Sequence, residues 1–291
     1  MAGDWIEIAS ADLRAAINPL GAELSSLRDV EGRELMTDAD PAFWSGRAPL
    51  LFPIVGRLVD DKYRVDGAEY PLPQHGFARR QPFALVEQAA ERAVFRLTDN
   101  DATRAVYPFA FTLDAAFTLT GATLAMDITV TNTGDRDMPA SFGFHPAFAW
   151  PLPYGRPRAA HRIVFEKAEP ADLSAIILGG WIAPDSWPSP LAGRELALTD
   201  ALFERDALVW DSLESQSLRY DGGAGPGLDI GFAGMPKLGI WTKPGARYVC
   251  IEPWHGIADP IGFTGEIWDK PGILRFAPGE SRTFSMQVTL A

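Results

Sequence analysis

Hydrophobic and polar residues alternate one by one along much of this chain. From Phe111 the sequence reads FTLDAAFTLTGATLAMDITVTNTG, with Leu113, Ala115, Phe117 and Leu119 on one parity. After a turn at Gly121 the pattern resumes through Leu124, Met126, Ile128 and Val130. Successive side chains on a strand point to opposite faces, so these runs predict a hairpin of two long, half-buried strands, closed by a second turn over residues 132–134. Shorter alternating runs cover residues 5–9, 14–18, 83–88, 93–98, 163–166, 216–220, 228–232, 238–242, 248–254, 273–276 and 283–290. Residues 65–70, VDGAEY, predict a tight hairpin turning at Asp66-Gly67.

Strand signals recur with turn residues between them, and long helical periodicity is missing. The pattern is therefore all-β, a large antiparallel sandwich with few short helices, and not a series of βαβ units. Residues 176–194 carry Gly179, Gly180, Pro184, Pro188, Pro190 and Gly193. With Trp181 and Trp187 among them, they read as a long loop capping one edge of the sandwich instead of a linker. Residues 221–227 (DGGAGPG) read as a flexible turn, and no repeat of fixed period appears. A single domain over residues 1–291 is expected.

Composition narrows the function classes. A chain of 291 residues, 47% hydrophobic and 22% charged, can bury about three quarters of its unfolded surface without disulfide or metal staples. Its 26 basic and 38 acidic residues give a net charge of −12, a field that disfavours nucleic acid and anionic membrane as partners. The single Cys250 excludes an internal disulfide and a multi-cysteine metal site, and fits a reducing compartment. The first residues, MAGDWIEIASADLR, lack the basic and apolar regions of a signal peptide. The longest apolar run, residues 48–56, is far short of the roughly 20 residues of a membrane span. A cytoplasmic protein is expected, as monomer or homodimer.

Four histidines exist. His161, at a strand entrance beside Arg162, reads as a surface residue. His75, His145 and His255 lie in Gly-, Pro- and aromatic-rich segments: PQHGF, GFHPAF and EPWHG. Each alone reads as a hydrogen-bonded loop side chain; three in so histidine-poor a chain suggest a site. Their separations match no metal-ligand spacing, and HExxH is missing. In the run Tyr248 to Trp254, strand alternation puts Tyr248, Cys250, Glu252 and Trp254 on one face. A carboxylate two residues from an indole suits a carbohydrate, whose hydroxyls and apolar face need those two partners. A surface Glu252 paired with Lys243 or Arg247 is the plain alternative. Arg57, ending the apolar run PLLFPIVGR, presents a planar donor at the rim of a core or in solvent, and Arg79-Arg80 follow His75 as a solvated pair or an anion subsite. Cys250, mid-strand with no adjacent base, reads as a packed thiol. Nucleophile-elbow, phosphate-loop and dinucleotide fingerprints are all missing from the sequence.

Taken together and in order, PLLFPIVGRL (residues 49–58), LPQHGFAR (72–79), SFGFHPAFAWPL (141–152) and CIEPWHGIADP (250–260) resemble the aldose 1-epimerase (galactose mutarotase-like) family, nearest its LacX-like branch. The resemblance implies a large antiparallel β-supersandwich that interconverts the α and β anomers of a free sugar without a cofactor. By motif, Glu252 resembles the general base for the anomeric hydroxyl and His145 the general acid for the ring oxygen. His75 resembles the second histidine at the ring oxygen or a neighbouring hydroxyl, Arg57 the hydroxyl-binding arginine, and Asp206 in LFERDALVW the hydroxyl-binding aspartate. Trp254 and Arg79 complete the expected substrate contacts, and no metal is implied. The HPAF context departs from the better-known galactose mutarotases, which leaves the sugar open. A sister branch acting on hexose 6-phosphates also carries HGFAR, so Arg79 is a candidate phosphate ligand. A non-catalytic sugar-binding protein and a glycoside hydrolase are the rival classes; hydrolysis usually takes two carboxylates about 5–10 Å apart, and one stands out here.

Overall fold

The computed structural model describes residues 5–177 and 179–291. Two antiparallel sheets dominate it. The larger has nine strands, in the order Glu195–Ala197, Arg162–Phe165, Ser217–Asp221, Leu228–Gly231, Ser281–Leu290, Thr123–Asn132, Phe111–Thr120, Arg92–Thr98 and Ala84–Gln88. The second runs Leu208–Trp210, Lys237–Trp241, Tyr248–His255, Phe142–Phe144 and Leu50–Leu51, with Ala147–Ala149 also paired to Tyr248–His255. A three-stranded sheet, Ile6–Ala9, Leu13–Asn18 and Glu23–Asp29, lies beside them. The one α-helix among the described residues, Asp101–Val106, is held by a capping box between Asn100 and Thr103. No helix there is long and apolar enough to cross a membrane.

The central hairpin forms as its alternation dictates. Phe111–Thr120 pairs with Thr123–Asn132, placing Phe117 opposite Met126 and Leu113 opposite Val130. All eight inward residues are buried, and their outward neighbours are half-exposed threonines, alanines and aspartates. One core cluster takes residues from Ile8 to Val288. Full burial of a side chain such as Phe117 contributes on the order of 1.5–3 kcal/mol, so this pair of strands anchors the larger sheet. The 65–70 hairpin also forms, with Asp66 and Gly67 at φ 53° and 77° as a two-residue turn requires.

Two expectations are corrected. Residues 176–194 do not form a structureless cap: Ile182–Trp187 folds back on Leu173–Ile176 as a short two-stranded sheet. Gly179 and Gly180, both at positive φ, supply the reversal between them. His161 is not on the surface. It is 1% exposed, and its ring bridges two backbone groups, Nε2 accepting from the Leu152 amide at 3.0 Å and Nδ1 lying 3.1 Å from the Pro157 carbonyl. A histidine that satisfies a buried turn through both nitrogens gives no outward signal in its sequence neighbours.

Candidate active site

A cavity of about 670 Å³ opens on the second sheet. Its floor is the strand Tyr248–His255, central in that sheet, with Lys237–Trp241 on one side and Phe142–Phe144 and Ala147–Ala149 on the other. Glu252 and Trp254 project into the cavity on one face of this strand, while Val249 and Ile251 enter the main core on the other. The surface-pair alternative for Glu252 therefore fails, because the residue is 2% exposed. The same alternation sends His255 out of the site, where its ring packs against Phe284 at 5.9 Å. The three sequence-selected histidines thus reduce to two at the cavity.

Glycines on the flanking strands make room for the indole. Gly143 pairs directly with Trp254, and a Cβ there would lie 2.6 Å from the indole Cδ1. At Gly239 a Cβ would lie 2.5 Å from the far edge of the same ring. Any side chain at either position would displace Trp254.

His145 enters from the loop between Phe142–Phe144 and Ala147–Ala149. Its Nε2 lies 3.2 Å from Glu252 Oε2. Trp44 stacks obliquely on the imidazole at 4.9 Å, and Trp241 meets it edge-on at 6.0 Å. Burial penalises the charged forms of both partners. It pushes Glu252 well above the usual carboxylate range, helped by the negative charge of Asp206, and pulls His145 down to about 3, helped by Arg79. Burial thus favours the uncharged form of each group across the 3.2 Å contact. The same burial disfavours imidazolium beside carboxylate, the pair that unperturbed pKa values would allow.

His75 occupies a backbone turn that the chain had to strain to make. His75 and Gly76 both have left-handed φ, 64° and 69°, and a Cβ at Gly76 would strike the Phe52 carbonyl at 2.2 Å. His75 N donates to Gly56 O at 2.9 Å, and Gly56 N donates back to the ring Nδ1 at 3.1 Å. An acceptor at Nδ1 leaves the ring proton on Nε2, so neutral His75 is a donor. Burial first, then the neighbouring His145 and Arg79, keep it neutral. The two imidazoles meet edge to face at 5.8 Å.

Asp206 reaches the cavity wall from the turn before Leu208–Trp210, at φ 99°, a strained value for a non-glycine residue. Arg79 also lines the wall. Its Nη2 donates to the Gln74 carbonyl at 2.9 Å, and its buried Nε has no partner among the described residues. Burial lowers its pKa to about 10. Arg57 is not in the lining. Its guanidinium pairs with Asp61 through Nε and Nη2, both at 3.0 Å, and packs over Trp181 behind the Gly179-Gly180 rim. Sequence reasoning missed Trp44, Trp241, Arg205 and Lys243, which line the cavity. Trp241 had a signal, since it follows Leu238–Ile240 into the same sheet; Trp44 lies in a turn with no periodicity.

Residues 4–169 match the family model described as aldose 1-epimerase. The plasmid-encoded protein LacX of Lactococcus lactis subsp. lactis is 30% identical over 98% of this chain and 99% of its own length. A galactose mutarotase related enzyme from Lactobacillus acidophilus superposes with a TM-score of 0.91 at 30% identity, over 99% of this chain and 97% of that one. A galactose mutarotase-like protein from Lactobacillus casei gives 0.90 at 27% identity, over 99% of this chain and all of that one. The β-supersandwich expected from the sequence is therefore this protein's fold, and the chain belongs to the aldose 1-epimerase family.

Proposed function

We propose that this protein is an aldose 1-epimerase that interconverts the α and β anomers of a free aldose by acid–base ring opening, with no cofactor. The contact between His145 and Glu252 at the floor of a sugar-sized cavity carries this reading. Passage of a proton from Glu252 to His145 Nε2 makes carboxylate and imidazolium in one step, with no change in net charge. Glu252 then takes the proton from the anomeric hydroxyl as C1=O forms. The C1–O5 bond breaks, and His145 protonates the ring oxygen. Rotation about C1–C2 presents the other carbonyl face, and the groups reverse their roles on closure. His75 Nε2–H donates to the ring oxygen or a neighbouring hydroxyl, Asp206 accepts from a hydroxyl, and Trp254 covers the apolar face of the sugar. Arg57 acts from the rim, holding the Gly179-Gly180 wall. Each positioned proton-transfer group contributes roughly 10²–10⁴-fold, or about 3–5 kcal/mol of barrier.

The reading takes residues 1–291 as one domain, supported by the core cluster that runs from Ile8 to Val288, and a cytoplasmic location, in line with the lone cysteine. A second substrate class, hexose 6-phosphates, draws support from the unpartnered Nε of Arg79 and from Arg205 and Lys243 on the same lining. Anomer-exchange NMR separates the two. Free aldoses are expected to exchange faster with enzyme than without. Exchange restricted to 6-phosphates, and lost in Arg79→Ala, would move the assignment to the phosphorylated sugar.

A further inference from the structure

Cys250 lies on the same face of Tyr248–His255 as Glu252, one alternation earlier, and the mechanism above leaves it idle. Its Sγ, an imidazole nitrogen of His145 and a carboxylate oxygen of Glu252 all lie within 4.8 Å of one another. All three residues are buried, Cys250 and Glu252 on a central strand and His145 on the loop beside it, so packing holds the donors and they are not mobile surface side chains. We propose that His145, Cys250 and Glu252 form a binding site for one zinc-class divalent ion, with its fourth position open to the cavity.

The charges fit, and the geometry needs one contraction, because donors within 4.8 Å of one another must close to the edges of a coordination tetrahedron. Zinc bonds of about 2.3 Å to sulfur and 2.0–2.1 Å to nitrogen or oxygen give tetrahedral edges of about 3.3–3.6 Å between donors. The His145–Glu252 edge is already 3.2 Å. One thiolate, one carboxylate and one neutral imidazole around a doubly charged cation sum to zero, the charge state that burial tolerates best. A thiolate with an imidazole selects zinc-class ions over magnesium or calcium, whose preferred donors are all oxygen. Binding replaces the 3.2 Å His145–Glu252 contact with two metal bonds and adds a third to sulfur. The thiol proton and the carboxyl proton leave to solvent. An ion there occupies both groups of the acid–base pair, so zinc and turnover exclude each other. That consequence rests on the proposed catalytic roles; the binding itself does not.

Cys250 is the chain's single cysteine, so any thiolate–metal absorption has one possible source. The test is a cobalt titration of chelator-treated protein without a polyhistidine tag. A thiolate-to-cobalt charge-transfer band in the near ultraviolet is expected, saturating at one equivalent, bleached by zinc and missing from Cys250→Ser. In parallel, zinc is expected to stop anomer exchange in the wild type, while Cys250→Ser turns over normally and needs about tenfold more zinc for the same inhibition. No charge-transfer band in the wild type, or a band that survives in Cys250→Ser, overturns the site. Equal zinc inhibition of both proteins also overturns it. If no sugar exchanges with the wild type, the epimerase reading fails and the cobalt spectrum still decides the metal site.

Discussion

At the scale of single residues, the informative groups are those whose environment contradicts their ordinary chemistry. Burial holds the pKa of Glu252 above the usual carboxylate range, and those of His145 and His75 below the usual imidazole range. These shifts have a stability cost with a definite sign. Because the folded pKa of Glu252 lies above its unfolded value, its contribution is fully present below about pH 4.5 and is lost as pH rises through the folded value. Glu252→Gln removes that loss, so the variant is expected to unfold at a higher temperature than wild type at pH 8, with the difference shrinking toward pH 4.5. Thermal unfolding at the two pH values checks this, and a variant less stable than wild type at pH 8 would contradict it. The histidines act oppositely. Their depressed pKa values contribute stability present above about pH 6.5 and lost as pH falls through the folded values, about 3 for His145, by about 1.4 kcal/mol per pH unit for each proton taken up on unfolding. Glu252, His145 and His75 were legible as candidates because their motifs bracket them with Gly, Pro and aromatic residues, whereas Asp206, in LFERDALVW, came only from the family resemblance. Their protonation states were not, since burial depends on what the rest of the chain stacks above them.

At the scale of elements, period-two alternation carried most of the reading. It gave the hairpin Phe111–Thr120 with Thr123–Asn132 and the shared face of Tyr248, Cys250, Glu252 and Trp254. It was silent at the short strands Leu50–Leu51 and Phe142–Phe144, because two or three residues hardly establish a period. It was silent too on the pairing within residues 173–187, where glycine and proline signals read as loop although the backbone closes into a hairpin. Gly239 draws no attention in the sequence and Gly143 only as a member of GFHPAF, yet both define the indole slot. Gly239→Ala is expected to push Trp254 off the strand and weaken sugar binding by roughly tenfold or more while the sheet stays folded, since the clash of 2.5 Å is with a side chain and not with backbone. Calorimetric titration beside circular dichroism tests this. Unchanged affinity in a folded variant would remove Trp254 from the binding surface.

At the scale of the molecule, the cavity depends on a buried ion pair behind its wall. Lys270 Nζ donates to Asp259 Oδ1 at 2.7 Å and to the Ile257 carbonyl at 2.6 Å, and both charged residues are at most 3% exposed. Asp259 Oδ2 accepts from Val59 N at 2.9 Å, so the pair locks the 257–259 segment to the segment that carries Gly56 and, through it, His75. Removing one partner leaves a buried charge unpaired, and Lys270→Met is expected to lose about 3–5 kcal/mol in urea denaturation. A loss below about 1 kcal/mol would show that the segments hold by packing alone. Nothing in the sequence marks Lys270 for burial; a lysine between Asp269 and Pro271 reads as a surface turn. The central claim is that Glu252 and His145 work as one acid–base pair on a free sugar. The direct measurement is the optical rotation of freshly dissolved α-D-glucose and α-D-galactose, with wild type beside Glu252→Gln and His145→Ala. The account predicts that wild type speeds the approach to equilibrium and that each variant loses roughly 10²-fold or more of that acceleration. Acceleration that survives in either variant, or a wild type that binds sugar and accelerates nothing, would contradict it.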